Sequence, residues 1–419
     1  MLDTYMTGKV KRISPEAPVP VMNVEKVESR PGGAGNVCLG LISLGGIVTA
    51  MGRIGDDLDG EILKNALESE SVNTSGLIVQ KGYKTPVKKR LIASSQQILR
   101  VDMERVETLP EVYEKLFVHK FSSLLEDMQI VAISDYAKGF LSRTLLEEII
   151  KEAHKKKIPV IVDPKGQDFS KYKGAYLIKP NLLEAYAAAK AADAEPLDKV
   201  AQILLSKSEA DKLVITRSEA GITLFEKDGK RSDFPVHSKE VKDVTGAGDT
   251  VLAMLSASIA NGLEITPAVQ LANIAAGIAI ERIGCARISL SELAKRLLEY
   301  DSENKIFEES HIFALQQALQ GQSYTVLGVD TTSGLSLSLI HTIRELSKDQ
   351  GRTLILYLKD MNPDPQMVNL LSSLQEVDFI VLKKESLQKL CESIHPDEVF
   401  IIENGKVIEL LNAGILLSK

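Results

Sequence analysis

The sequence predicts an α/β chain of two successive domains, and three observations predict it. Short buried apolar runs such as P-V-I-V-D-P at 159–164 alternate with helical segments, and glycine-rich turns open helices at two distant places. After a polar, mostly helical stretch at 301–322 the strand and helix alternation starts afresh. The expected division is therefore 1–300, a linker at 301–322, and a smaller α/β domain at 323–419.

Near the start, R-I-S-P-E-A-P-V-P at 12–20 has the proline-rich alternation of an extended edge ribbon, and 85–102 predicts a second ribbon. Between them P-G-G-A-G-N at 31–36 leads into a helix and then a strand. The run at 159–164 reads as a buried strand with Asp163 at its carboxyl end, where ligands bind in open α/β sheets. In L-I-K-P-N-L-L-E at 177–184, Asn181 and Glu184 have the spacing of a capping box. L-V-I-T-R-S-E-A-G-I-T-L-F at 213–225 reads as strand, turn, strand with Gly221 at the bend. D-V-T-G-A-G-D at 243–249 runs into a helix ending near Gly262, and Thr266 and Pro267 predict the N-cap and first position of the next.

Two of these segments carry chemistry. Gly246, Ala247 and Gly248 can bring successive backbone N–H groups close to an anion, and the helix start behind them adds orphan donors and a partial positive charge. Asp249 stands at the same helix start as a candidate general base for a hydroxyl. The competing reading is an ordinary glycine turn with a capping aspartate. In the other segment Gly32 and Gly33 allow close approach to a polyhydroxy ligand, and Asn36 offers both a donor and an acceptor.

Together, G-A-G-N at 33–36 with Gly45 and Gly55, and D-V-T-G-A-G-D, resemble the two signatures of the ribokinase-like carbohydrate kinases. Cys38 and Met254 depart from the residues usual there. The resemblance implies a three-layer sandwich with a small β lid, using ATP and Mg²⁺. It implies Asp249 as base beside the anion hole of Gly246, Ala247 and Gly248, and a nucleotide and magnesium region at Asn181, Leu182, Leu183 and Glu184. By the same resemblance Thr216, Ser218, Gly221 and Asn273 line the nucleotide, while Asp3, Gly32, Gly33 and Asn36 hold the sugar. R-I-S-P-E-A-P-V-P, Q-Q-I-L-R-V-D and I-S-D-Y-A-K-G further resemble the heptose 7-phosphate kinases of lipopolysaccharide precursor synthesis. A sugar phosphate needs cations. Lys88, Lys89, Arg90, Arg100, Lys138 and Lys179 are candidates, with Arg90 and Lys179 preferred because each sits in or beside a motif. Another sugar phosphate or a nucleoside is the alternative acceptor, and a catalytically silent binding or scaffold protein is the alternative class.

The second domain resembles, in its order of elements, the Rossmann-like nucleotidyltransferase domain that follows the kinase in bifunctional relatives. Where that chemistry uses H-x-G-H, this chain reads V-D-T-T-S-G-L-S-L-S, so a degenerate domain without adenylyl transfer is expected. The resemblance also places a buried strand before the acid matching Asp3, and M-L-D-T-Y lacks it, so either the start lies upstream of Met1 or the sheet is completed in another way. Asp3 is then expected at a terminus prone to fraying, and in-frame residues upstream are expected to raise stability and sugar affinity.

Composition narrows the setting. A net charge of −7 gives no footprint for nucleic acid, and six scattered histidines form no cluster. Three cysteines without metal spacing, no signal pattern and no bilayer-length apolar run point to a soluble cytoplasmic enzyme. Exposed lid edges could pair across a homodimer.

Overall fold

The chain opens directly into a sheet. The computed structural model describes residues 1–93, 96–236, 241–282, 284–285, 287–300, 305–307, 312–331, 334, 336–348, 352–361, 363–374, 376–382, 386–403 and 406–410. In chain order the first unit, Met1–Ile288, holds β1 (Leu2–Ile13), β2 (Pro20–Pro31), α1 (Ala34–Ser43), β3 (Thr49–Gly55), α2 (Leu58–Glu68), β4 (Asn73–Gln80), β5 (Val87–Ala93), β6 (Gln96–Met103) and α3 (Glu111–Leu124). It continues with β7 (Val131–Ser134), α4 (Arg143–Lys155), β8 (Val160–Asp163), β9 (Leu177–Ile178), α5 (Leu182–Ala189), α6 (Leu197–Ser208), β10 (Lys212–Thr216), β11 (Ile222–Glu226), β12 (Arg231–Phe234), α7 (Ala247–Ala260) and α8 (Ile265–Ile280).

The two predicted ribbons meet in one four-stranded sheet, ordered β2-β1-β5-β6, which is the lid. β2 lies at its edge with prolines at both ends, where no ladder donor is needed. The expected loose start is corrected here. Leu2 is fully buried and Asp3 is 5% exposed, because each pairs with β2 on one side and β5 on the other.

The main sheet runs β12-β11-β10-β9-β8-β7, parallel from β7 to β10 and antiparallel beyond. Val160, Ile161 and Val162 are completely buried, as a strand covered by helices on both faces requires. α4 shows why its neighbours fold as they do. Leu145, Leu146, Ile149, Ile150 and Ala153 recur at helical spacing and are all buried, and the Ser142 hydroxyl caps the start by accepting from the Leu145 N–H at 3.1 Å. Such a cap stabilises by about 1 kcal/mol. β3 and β4 form a separate parallel pair, so the sheet is interrupted between β3 and β7.

The second unit, Ser289–Lys419, contains α9 (Leu290–Tyr300), β13 (Ile306–Phe307), α10 (Ile312–Leu319), β14 (Ser323–Val329), α11 (Leu337–Leu346), β15 (Arg352–Leu358), α12 (Pro365–Ser372), β16 (Phe379–Leu382), α13 (Leu387–Ile394), β17 (Glu398–Glu403) and β18 (Lys406–Glu409). Its sheet is ordered β13-β16-β15-β14-β17-β18 and is parallel except for β18. The division therefore falls at 288, earlier than the expected 300. The stretch read as a linker supplies β13 and α10, and α9 packs on α10. A two-residue strand is too short to show any periodicity. α8 likewise starts ahead of expectation: Glu264 is its N-cap, and Pro267 falls within the first turn, where a missing N–H is harmless.

Candidate functional site

Three distant stretches converge on the start of α7. Gly246 is its N-cap and has φ 80, a left-handed conformation suited to glycine; a Cβ there would stand 3.1 Å from Cys285 Sγ and 3.3 Å from Asn36 Nδ2. Three residues on, Asp249 is half-buried between two donors. Asn36 Nδ2 donates to Oδ2 at 2.9 Å and the Tyr136 hydroxyl donates to Oδ1 at 3.1 Å. Loss of water pushes the Asp249 pKa above the ordinary carboxylate value, and those two hydrogen bonds restrain the rise. Tyr136 itself is held protonated, first by burial and then by the Asp249 charge.

A buried cation lies close by. Lys179, 3% exposed, pairs with Asp163 at 3.0 Å, and its Nζ would be 3.5 Å from a Cβ at Gly248. Desolvation raises the Asp163 pKa to about 6 although the lysine opposes the rise. The glycine-rich turn thus lies beside a buried lysine at a helix start, a setting that favours an anion, although the Ala247 N–H is donated to the Val244 carbonyl at 3.3 Å.

The sugar-side candidates gather at the base of the lid. Asp3 Oδ1 accepts from Arg90 Nη1 at 2.7 Å, and the Arg90 guanidinium lies 5.3 Å from the Tyr5 ring centre. Gly32 abuts this pair so closely that a Cβ would fall 2.3 Å from Asp3 Oδ2. Gly33 is the N-cap of α1, where a Cβ would fall 2.9 Å from the Tyr136 ring, and the Tyr136 hydroxyl reaches Asp249. Arg90, Asp3 and Gly32 thus adjoin one another, and Asn36 contacts Asp249 directly. Of the other cations, Arg100 pairs with Asp102 at 2.9 Å, and Lys138 pairs with Glu104.

The nucleotide-side residues are more dispersed. Asn181 and Glu184 form the reciprocal capping box of α5, at 2.9 and 3.1 Å, and Glu184 also accepts from Lys165 at 2.6 Å. Leu182 and Leu183 follow on the exposed surface. Thr216 at the end of β10 bridges to Asn181, placing the two strand ends side by side. Ser218 opens the turn to Gly221, whose carbonyl accepts from the Arg217 N–H at 2.7 Å. Asn273 is buried in α8 and donates to the Pro235 carbonyl at 2.7 Å. Sequence reading gave no role to Tyr136, although it lies within the quoted I-S-D-Y-A-K-G. Its signal is local: Asp135 at the end of β7 accepts from the Ala137 N–H at 2.7 Å, a turn with Ala137 at φ 51 that sends Tyr136 to the cleft.

This fold and site define an ATP-dependent sugar kinase. The pfkB family carbohydrate kinase profile matches residues 3–293, and the chain belongs to that family. It is 42% identical over 299 residues to the bifunctional protein HldE of Geobacter sulfurreducens, covering 71% of this chain but 61% of that one. The HldE of Geobacter metallireducens is 36% identical over 416 residues, covering 94% of this chain and 84% of the relative. Among solved structures, phosphofructokinase-2 of Escherichia coli in complex with potassium superposes with a TM-score of 0.59 at 20% identity, over 70% of this chain and 94% of that one. Arabidopsis thaliana ribokinase complexed with ribose and ATP gives 0.55 at 16% identity, over 71% and 95%. These two likenesses establish a ribokinase-like fold. Among the described residues no helix is long and apolar enough to cross a membrane.

Proposed function

We propose that the chain transfers the γ-phosphoryl group of ATP to the anomeric hydroxyl of D-glycero-D-manno-heptose 7-phosphate, giving the 1,7-bisphosphate. The observation that carries this reading is Asp249, desolvated at a glycine-rich helix start and aimed by Asn36 and Tyr136. Asp249 takes the hydroxyl proton as the oxygen bonds to the γ-phosphorus, and the bond from that phosphorus to the β-bridging oxygen breaks, releasing ADP. A raised pKa makes the carboxylate a stronger base toward an alcohol. N–H groups of Gly246, Ala247 and Gly248, with Lys179 beneath, stabilise charge on the transferring group. Asp3 orients sugar hydroxyls, and Arg90 has four further N–H donors beyond the one on Asp3 for the sugar phosphate. Thr216, Ser218 and Gly221 would bound the nucleotide on the side of β10.

Mg²⁺ suits the donors present. No group of three or more acidic, histidine or cysteine side chains could hold a metal alone among the described residues. Magnesium characteristically takes one or two carboxylates, several waters and the substrate phosphates. Asn181 and Glu184 supply such sparse oxygen donors, and the ion, when bound, neutralises phosphate charge.

The second unit acts as a degenerate structural or regulatory domain without adenylyl transfer, a reading supported by the absence of histidine from 329–338. A homodimer through the lid is supported by Ile98, Leu99, Val101 and Met103, all exposed on β6. Sedimentation of the whole chain tests that assembly. Function is tested by coupled ADP release with heptose 7-phosphate, fructose 6-phosphate, ribose and a nucleoside as acceptors. The heptose phosphate should give the highest kcat/KM; preference for another acceptor refutes the assignment, and no turnover with any favours the silent binding protein.

A further inference from the structure

One buried arginine touches the chain both where it enters the lid strands β5 and β6 and where it leaves them. Entry runs through 81–86, between β4 and β5, and exit begins after Met103, where β6 ends. Arg53 on β3 is buried beside both passages. Its guanidinium carbon lies 4.0 Å from the Tyr83 ring centre on the way in, and its Nη2 donates to the Glu107 carbonyl on the way out. Nη1 donates to Gln80 Oε1 at the end of β4, at 3.1 Å. One further bond leads toward the reaction: Nη2 also donates, at 3.0 Å, to the carbonyl of Lys138, two residues beyond Tyr136.

The turn that carries Tyr136 is thus held at its two ends by different bodies. On the main-sheet side buried Asp135 accepts from Lys171 Nζ and from the Tyr172 hydroxyl, each at 2.7 Å. On the lid side the Lys138 carbonyl shares Arg53 Nη2 with that of Glu107, and the Lys138 ammonium pairs with Glu104. Leu109 donates its N–H to the Gly139 carbonyl at 3.1 Å. Gly139 has φ 80, and a Cβ there would collide with the Glu107 carbonyl, so turn and lid exit touch backbone to backbone. A planar guanidinium fixes several carbonyls in one geometry, which an ammonium on a flexible stem does not.

Two charged groups in this joint are left over. Arg53 Nε and Glu104 Oε2 are both buried, and among the described residues neither has a hydrogen-bond partner. Buried polar atoms are seldom left so, because each then forfeits its water for nothing. One is a donor on β3 and the other an acceptor on the lid exit, so a shift of the exit that joined them would be favoured. The joint therefore has a second arrangement available to it, which is what a moving lid requires.

We propose that Arg53 is a positioning residue for the general base: it joins the lid exit to the Tyr136 turn, so that the hydrogen bond from Tyr136 to Asp249 follows the position of the lid. This rests on the reading of Asp249 as the base. A lid drawn down over an acceptor carries Glu104 and Glu107 with it, Arg53 passes the displacement to the Lys138 carbonyl, and Tyr136 moves on Asp249. The base is then tuned when the acceptor is covered. An arginine serving only to fill space between β3 and the lid would affect stability and leave that tuning alone.

The test compares Arg53→Met, Glu104→Ala, Tyr136→Phe and the Arg53→Met/Tyr136→Phe double variant in the full chain, using whichever acceptor gives the highest turnover. Arg53→Met should lower kcat by roughly tenfold, leave the KM for ATP unchanged, and move the acidic limb of kcat/KM upward as Tyr136→Phe does. In the double variant the limb should move no further than in either single one, because both act through one bond. Glu104→Ala, which touches neither Tyr136 nor Asp249, should move it the same way by less. It should also speed amide exchange at Ala137, whose N–H is held by Asp135, by roughly threefold or more. A limb that stays put in Arg53→Met, or shifts that add in full in the double variant, would overturn the coupling. If Arg53→Met does not fold, or no acceptor turns over, Glu104→Ala decides by exchange alone, and an unchanged rate at Ala137 overturns it. Near-native turnover in Asp249→Asn would instead remove the base itself, so the two failures are told apart.

Discussion

The two units use the same parts, parallel strands ending at helix starts, yet their polar groups are spent differently. At α7 the groups come from far apart in the chain and point inward on open space: Asn36 and Tyr136 meet Asp249, while Lys179 and Asp163 sit under Gly248. At the carboxyl ends of β14 and β15 the Thr331 N–H and hydroxyl both go to Asp360, at 2.6 and 2.5 Å, and Ser336 caps α11. Groups whose donors are all spent on one carboxylate make a stable turn. Groups held by distant partners, and partly desolvated, make a site, because their charge is kept available for something else.

The sharpest way to break that contrast is Asp249→Asn. It should lower kcat by about 10²- to 10⁴-fold while leaving Tm unchanged or raised, since a desolvated carboxylate is removed; single-turnover kinetics beside thermal unfolding checks both. Arg90→Ala should come next. It strands the buried Asp3 carboxylate, raising the sugar KM by roughly tenfold or more with a lower Tm, and an unchanged KM would remove Arg90 from the sugar site.

Smaller effects should appear in pH profiles. The Asp249 pKa is raised and that of Asp163 lies at about 6, so both bind protons as pH falls and kcat/KM should decline as pH drops through about 6. Stability should run the other way: an acid whose folded pKa lies above its unfolded value stabilises fully below the unfolded value and loses that contribution as pH rises through the folded one. Tyr136→Phe removes a hydrogen bond that lowers the Asp249 pKa, and should move the acidic limb upward with a rate loss of only a few fold. An acidic limb that stays put would leave Tyr136 as packing alone. The least effect is expected from Asp360→Asn, which should cost the second unit about 1 kcal/mol and leave kinase turnover within about twofold. A large kinase defect there would show that the units do not divide labour as described.

What the sequence disclosed follows the same division. Gly32 and Gly246 were legible because backbone demands act at the residue itself. The edge ribbons were legible from proline. Tyr136 was not assigned, because its role depends on how the end of β7 approaches α7 in space. β13 was invisible at two residues, so 301–322 read as a linker. Asn181 and Glu184 fitted two readings from the start, and the capping box is in place.

Asp3 and Arg90 sit on neighbouring lid strands, β1 and β5, and not on the sheet that carries Asp163. On the proposed assignment of Asp3 and Arg90 to the sugar, grip and closure would be one coordinate. Residence time of the product would then rise with every gain in sugar affinity, and the fastest variant of this enzyme would be one that binds its acceptor less tightly than it could.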